Sequence, residues 1–249
     1  MKTKYLISFL TVLILSCGII SQRPPAQEAT SAPPVQQPTQ APVQIPPTES
    51  HVDPNYFRDD FNIKLESGWE WLREDPNHWS LTVVPGSLQI DTNGGKVKDE
   101  SVSNLLLRPA PAGDFQIETK VNFHPTANFQ FAGLIIYESA PNFIQAGRAF
   151  CDNPSTCAGN GLYIDYYQNG EFIMPNFAVP YTESDEIYLR LVHQGNTYTL
   201  QTSSNGSEWI LRGGQESNMK SLQIGLVTGQ NSSSVIPALF DYFEVRSIP

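Results

Sequence analysis

The chain has 249 residues, 15 basic and 25 acidic side chains, and 40% apolar residues. That length accommodates an export leader and one domain with a sizeable core. The acidic balance disfavours polyphosphates and anionic lipid surfaces, so nucleic acid is not expected as a partner.

Residues 1–17 read as an export leader. Lys2 and Lys4 precede an apolar run from Tyr5 to Leu15 that is too short to span a bilayer. The run ends Ile14-Leu15-Ser16-Cys17, which resembles a bacterial lipobox, although Leu15 departs from the small residue usual there. Cys17 is accordingly expected to carry lipid and to hold the protein on the bacterial cell surface or envelope. Membrane contact would then run through the anchor alone. Residues 18–52 are Pro, Gln, Ala, Thr and Ser with almost no large apolar side chain. Such a segment buries too little surface to offset its chain entropy, so it is expected to be a disordered stalk with a reach of up to about 100 Å.

Residues 53–249 form the domain. The stretch GWEWLREDPNHWSLTVVPGSLQI (Gly68 to Ile90) opens it with three tryptophans. As a strand, GWEWL puts Trp69 and Trp71 on one face and Glu70 and Leu72 on the other, with REDPNH as the loop into Trp79. The tryptophans are either core residues or a platform on which sugar rings stack. Further blocks alternate apolar and polar residues: SLQI, DFQIETKVNF, FAGLIIYE, GLYIDYYQ, EIYLRLVHQ, TYTLQTSS, SEWILRG, LQIGLVTG and ALFDYFEVRS. Asn-Gly-type turns at residues 93–95, 168–170, 193–196 and 203–207 punctuate them, and GNG at 159–161 reads as another turn. No helical period persists. The pattern predicts an all-β fold, an antiparallel β-sandwich of the jelly-roll kind. Cys151 and Cys157 close the short loop CDNPSTC, and export makes a disulfide the default.

In order, W-x-W, DPNHWSLTVVPGSLQI, NLLLRPAPAGDFQIETKVNF, FAGLIIYE and the closing hairpins to FDYFEVRS resemble the concanavalin A-like module at the C-terminus of family 43 β-xylosidases and arabinofuranosidases. The resemblance implies a lectin-like sandwich. In that family the catalytic carboxylates lie on a separate β-propeller, for which this chain has no room. The resemblance therefore implies a carbohydrate-binding domain more than a hydrolase.

The residues point the same way. The runs ESDE and FDYFE do not give the E-x-D-x-x-E pattern of sandwich glucanases, and His51, His78, His124 and His193 are dispersed. The strand GLYIDYYQ offers a carboxylate between phenols: Tyr163, Asp165 and Tyr167 share one side. That face could bind a glycan or be a solvated, Tyr-rich sheet face. Arg190 holds a comparable polar position on a nearby strand. The binding set is thus Tyr163, Asp165, Tyr167 and Arg190, with Trp69 or Trp71 outlying, and the expected partner is a neutral polysaccharide. The alternatives are a glycoside hydrolase or lyase, or a structural adhesion module. No cofactor is required. A structural Ca²⁺ is conceivable between Asp60 of FRDDF and Asp241 of FDYFEV, whose runs resemble the paired terminal strands of lectin-like sandwiches.

Overall fold

The computed structural model describes residues 55–153, 155, 157–173, 177–229 and 234–249. Cys17 and residues 18–52, the expected stalk, lie outside them. In chain order the strands are β1 (Tyr56–Asp59), β2 (Glu70–Leu72), β3 (Trp79–Ser80), β4 (Leu88–Asp91), β5 (Leu105–Pro109), β6 (Phe115–Asn122), β7 (Phe131–Ser139) and β8 (Asn142–Cys151). They continue as β9 (Gly159–Gln168), β10 (Glu171–Phe172), β11 (Phe177–Pro180), β12 (Glu186–Gln194), β13 (Thr197–Ser203), β14 (Ile210–Glu216), β15 (Gln223–Gly229) and β16 (Pro237–Ser247).

Two antiparallel sheets result. The back sheet has the order β14-β13-β12-β6-β16-β4-β3 with β1 on β16, and the front sheet has β10-β9-β8-β7-β15-β5-β2 with β11 on β9. Side-chain alternation explains how they pack. Leu106, Leu134, Ile136, Ile144, Leu162, Ile164 and Leu226 of the front sheet face Ile117, Val121, Leu189, Leu191, Leu200 and Phe240 of the back sheet in one buried core. Burying a side chain of this size contributes about 1.5–3 kcal/mol.

The intervening residues of the front sheet are apolar too. Leu105, Leu107, Ile135, Phe143, Tyr163 and Val227 form a second buried cluster on its outer face, closed by Val97 and Val102. The front sheet is therefore covered on both faces. Part of that cover is the segment leaving β4, which carries a short 3₁₀ turn at Val97–Asp99 before joining β5. The Asn-Gly-Gly run at 93–95 begins this excursion and not the hairpin its composition predicts. GNG at 159–161 likewise starts β9. The other three turn expectations hold, with left-handed Asn169, Gly170, Gly195 and Gly206 between paired strands.

Candidate functional site

On β9, Tyr163, Asp165 and Tyr167 do share the outer face of the front sheet, opposite Gly147, Gln145 and Phe143 of β8. Their surroundings divide them. Tyr163 is only 5% exposed, and its hydroxyl accepts the Ala158 N–H (3.0 Å) and donates to the Gly159 carbonyl (2.6 Å). It fastens the end of the Cys151–Cys157 loop, which the predicted disulfide closes. The expectation of Tyr163 as a sugar contact is corrected on this ground: its ring is packed and its hydroxyl is spent.

Asp165 differs. It keeps part of its surface in solvent yet sits deep among neighbouring atoms, and the Gln145 Nε2 donates to it at 2.9 Å. No cation pairs with it among the described residues. Burial pushes its pKa up to about 6, and the Gln145 hydrogen bond opposes that rise only in part. Beside it, Tyr167 stacks on Phe143 (4.8 Å between centroids, 17° between planes) and leans on Phe172 (5.2 Å, 51°). Burial, then the charges of Asp165 and Asp99, push the Tyr167 hydroxyl up to about 12, so it stays a neutral donor. Register sets Tyr137, Phe143, Tyr167 and Phe172 side by side on β7, β8, β9 and β10. Phe172, at the sheet edge, is 40% exposed. The arrangement offers a hydrogen-bonding carboxyl–amide pair next to stacked rings, the chemistry that suits a hydroxyl-rich ligand with an apolar face.

Arg190 is elsewhere. Its strand β12 belongs to the back sheet, where the guanidinium grips Glu118 through two nitrogens (3.0 and 2.7 Å) and lies 3.6 Å from the Trp209 ring centre. Glu118 also accepts the Tyr242 hydroxyl (2.6 Å). The assignment of Arg190 to the Asp165 face is corrected by the topology.

The tryptophans of GWEWL share one face, as alternation requires, and that face is the interior. Trp69 packs edge-on against Phe57 and Phe243, and its indole N–H donates to Asp59 at 2.9 Å. Trp71 lies 4.9 Å from Trp79, and both pack on the core. Neither is a sugar platform on the Asp165 face; both close the core. Leu72, on the other side, joins the outer cluster.

The terminal acids are separately partnered. Asp60 binds Arg58 (2.7 Å), and Asp241 binds Lys120 (2.9 Å) and accepts the Ser87 hydroxyl (3.3 Å). The buried acid of FRDDF is Asp59, whose oxygens hold the N–H groups of Phe61 and Glu66 and the Trp69 indole. Among the described residues, no three His, Cys, Asp or Glu side chains converge on a metal position.

Two facing antiparallel sheets in this order make a concanavalin A-like sandwich. The chain belongs to the family of β-xylosidase C-terminal concanavalin A-like domains, whose model matches residues 58–246. Among solved structures it is similar to the GH43 protein BlXynB from Bacillus licheniformis (21% identity, TM-score 0.70), covering 77% of this chain and 39% of that one. It is also similar to a xylan β-1,4-xylosidase from Bacillus halodurans C-125 (22% identity, TM-score 0.66), covering 76% and 39%. A functionally unknown protein from Saccharomyces cerevisiae shares the fold over 94% of its own length (14% identity, TM-score 0.52, 72% of this chain). No curated protein matches the chain. The match thus spans about two-fifths of the bacterial enzymes, at identities that speak for the fold alone.

Proposed function

We propose that this is an exported lipoprotein whose sandwich binds a neutral polysaccharide without cleaving it, through Asp165, Gln145, Tyr167 and Phe172. The observation that carries the reading is Asp165 itself: a desolvated carboxyl with no cation beside it among the described residues, next to exposed aromatic surface. Folding gains nothing from ionising such a group, which is the mark of a residue kept for a ligand. Family membership supports a carbohydrate partner, and the acidic chain favours neutral over anionic sugars.

Affinity electrophoresis in gels containing xylan, arabinan or β-glucan tests the reading. Retardation is expected for the wild type and is expected to fall in Tyr167→Ala and Asp165→Ala. The absence of retardation by every polymer favours an adhesion or scaffold role, and release of reducing sugar favours a hydrolase. The anchor has its own test: Cys17→Ser is expected to move the protein from the membrane fraction to the soluble one, since stable attachment needs more than one acyl chain and the substitution removes all of them. Retention of the variant in membranes overturns the lipid assignment.

A further inference from the structure

The loop between β6 and β7 holds Phe129 in the left-handed region, at φ 66°, with 50% of its surface exposed. Both features are unfavourable for this side chain. Its Cβ crowds the backbone, its ring faces water, and glycine or asparagine would adopt the same conformation with less strain.

Other left-handed residues of the chain show a return for their strain. Phe61 (φ 50°) is fully buried in the core, and its N–H is held by Asp59. Arg73 (φ 57°) donates through its side chain to the Val102 carbonyl at 2.6 Å. Glu100 (φ 54°) closes the 3₁₀ turn on the Val97 carbonyl. Phe129 belongs to neither apolar cluster.

The loop is nonetheless built firmly. The Phe129 N–H donates to the Phe150 carbonyl (2.8 Å), and the Gln130 side-chain oxygen accepts the N–H groups of Thr126 and Ala127 (2.7 and 3.0 Å). Asn128 and Asp152 exchange two hydrogen bonds (2.6 and 2.7 Å) immediately beyond the crosslinked Cys151. A rigid, strained loop that keeps a large ring in solvent is a preorganised contact, because little freedom is left to lose when a ligand arrives.

We infer that Phe129 is a stacking residue for a polysaccharide chain, a second contact at the end of the front sheet away from Tyr167 and Phe172. Strand β8 sets the separation. Phe143 lies beside Tyr167 and Phe150 beside Phe129, and at about 3.3 Å per residue the seven steps between them span roughly 23 Å. A monosaccharide is too short to reach both ends, whereas an extended chain of several units is long enough. The net charge of −10 opposes a polyanion, whereas stacking on a sugar's C–H face is indifferent to charge.

This inference rests on the polysaccharide reading, and the experiment separates the two. Full-length wild type, Phe129→Gly, Phe129→Trp and Tyr167→Ala are compared in native gels containing xylan, arabinan or β-glucan, alongside thermal melts. Phe129→Gly is expected to weaken retardation at least about threefold. It is also expected to melt no lower than the wild type, because glycine relieves the left-handed strain. Phe129→Trp is expected to bind as well as the wild type or better. If Phe129→Gly binds like the wild type while Tyr167→Ala does not, Phe129 has no ligand role and the polysaccharide reading stands. A clearly lower melting temperature for Phe129→Gly makes the ring structural and overturns the inference. A wild type that no polymer retards overturns both.

Discussion

Replacing Asp165 by Asn removes the group that the front sheet desolvates with no counter-charge among the described residues. Burial raises its pKa from 3.8 to about 6. A rise of about 2 units corresponds to roughly 3 kcal/mol against the ionised native form, and the remaining solvent access lowers this to about 1–3 kcal/mol. The direction follows from proton uptake. Below about pH 4 the carboxyl is protonated in both states and the penalty is absent. Between about pH 4 and 6 the unfolded chain releases the proton while the native protein keeps it, so wild-type stability falls through that window and levels off above it. Asparagine does not titrate, and its carbonyl can still accept from the Gln145 Nε2. In urea melts the variant is expected to exceed the wild type by about 1–3 kcal/mol at pH 7.5 and to match it near pH 4. Equal or lower stability of Asp165→Asn at pH 7.5 would refute the desolvation argument, and with it the claim that this carboxyl is kept for something other than folding.

Trp69→Ala is expected to cost about 3–5 kcal/mol in denaturant melts, since it empties an interior site and strips a donor from buried Asp59; a loss below about 1 kcal/mol contradicts its place in the core. Removing the crosslink with Cys151→Ser and Cys157→Ser together is expected to lower stability by about 2 kcal/mol, the loop-closure value for so short a ring. That pair also loosens the frame of Phe129, so it should weaken polymer retardation more than its effect on melting suggests. Excess EDTA is expected to leave the melting temperature unchanged, because Asp60 and Asp241 already have Arg58 and Lys120 as partners; a clear drop would place a cation there.

Most strands announced themselves by alternation or an apolar run, and β4, β6, β7, β9, β12, β13, β15 and β16 fall where the pattern puts them. Strand β8 did not. Its run NFIQAGRAFC packs both faces, and glycine at 147 answers a backbone approach in which a Cβ would meet the Ala132 carbonyl oxygen within 2.2 Å. Its fully buried Arg148 looks like a surface residue in sequence, yet donates to the Tyr181 carbonyl and the Asn160 side chain inside the fold. Packed on both faces, with Gly147 and the buried Arg148 breaking its apolar run, β8 has no period-two signal. Because β8 was illegible, so were Phe143 and Gln145, the direct neighbours of Tyr167 and Asp165.

Parity along one strand says which side chains share a face; it does not say which sheet the strand joins or what later covers that face. Tyr163, Asp165 and Tyr167 were grouped correctly by parity, but the segment from β4 to β5 and the disulfide loop then bury the first and leave the other two at the margin. Arg190 holds a similar polar position in its strand, but β12 belongs to the back sheet and its pairing with β6 puts it on the far side. The same logic explains the tryptophans. Three indoles in one short run satisfy either a platform or a core closure, and the deciding partner is Asp59, ten residues from Trp69, whose carboxylate accepts the indole N–H only when β1 lies against β16. Local chemistry supplied the right kinds of side chain for a binding face. Long-range pairing decided which of them were spent on the fold, and the residues left over, Asp165, Tyr167 and Phe172, are those whose exposure and desolvation the fold itself does not explain.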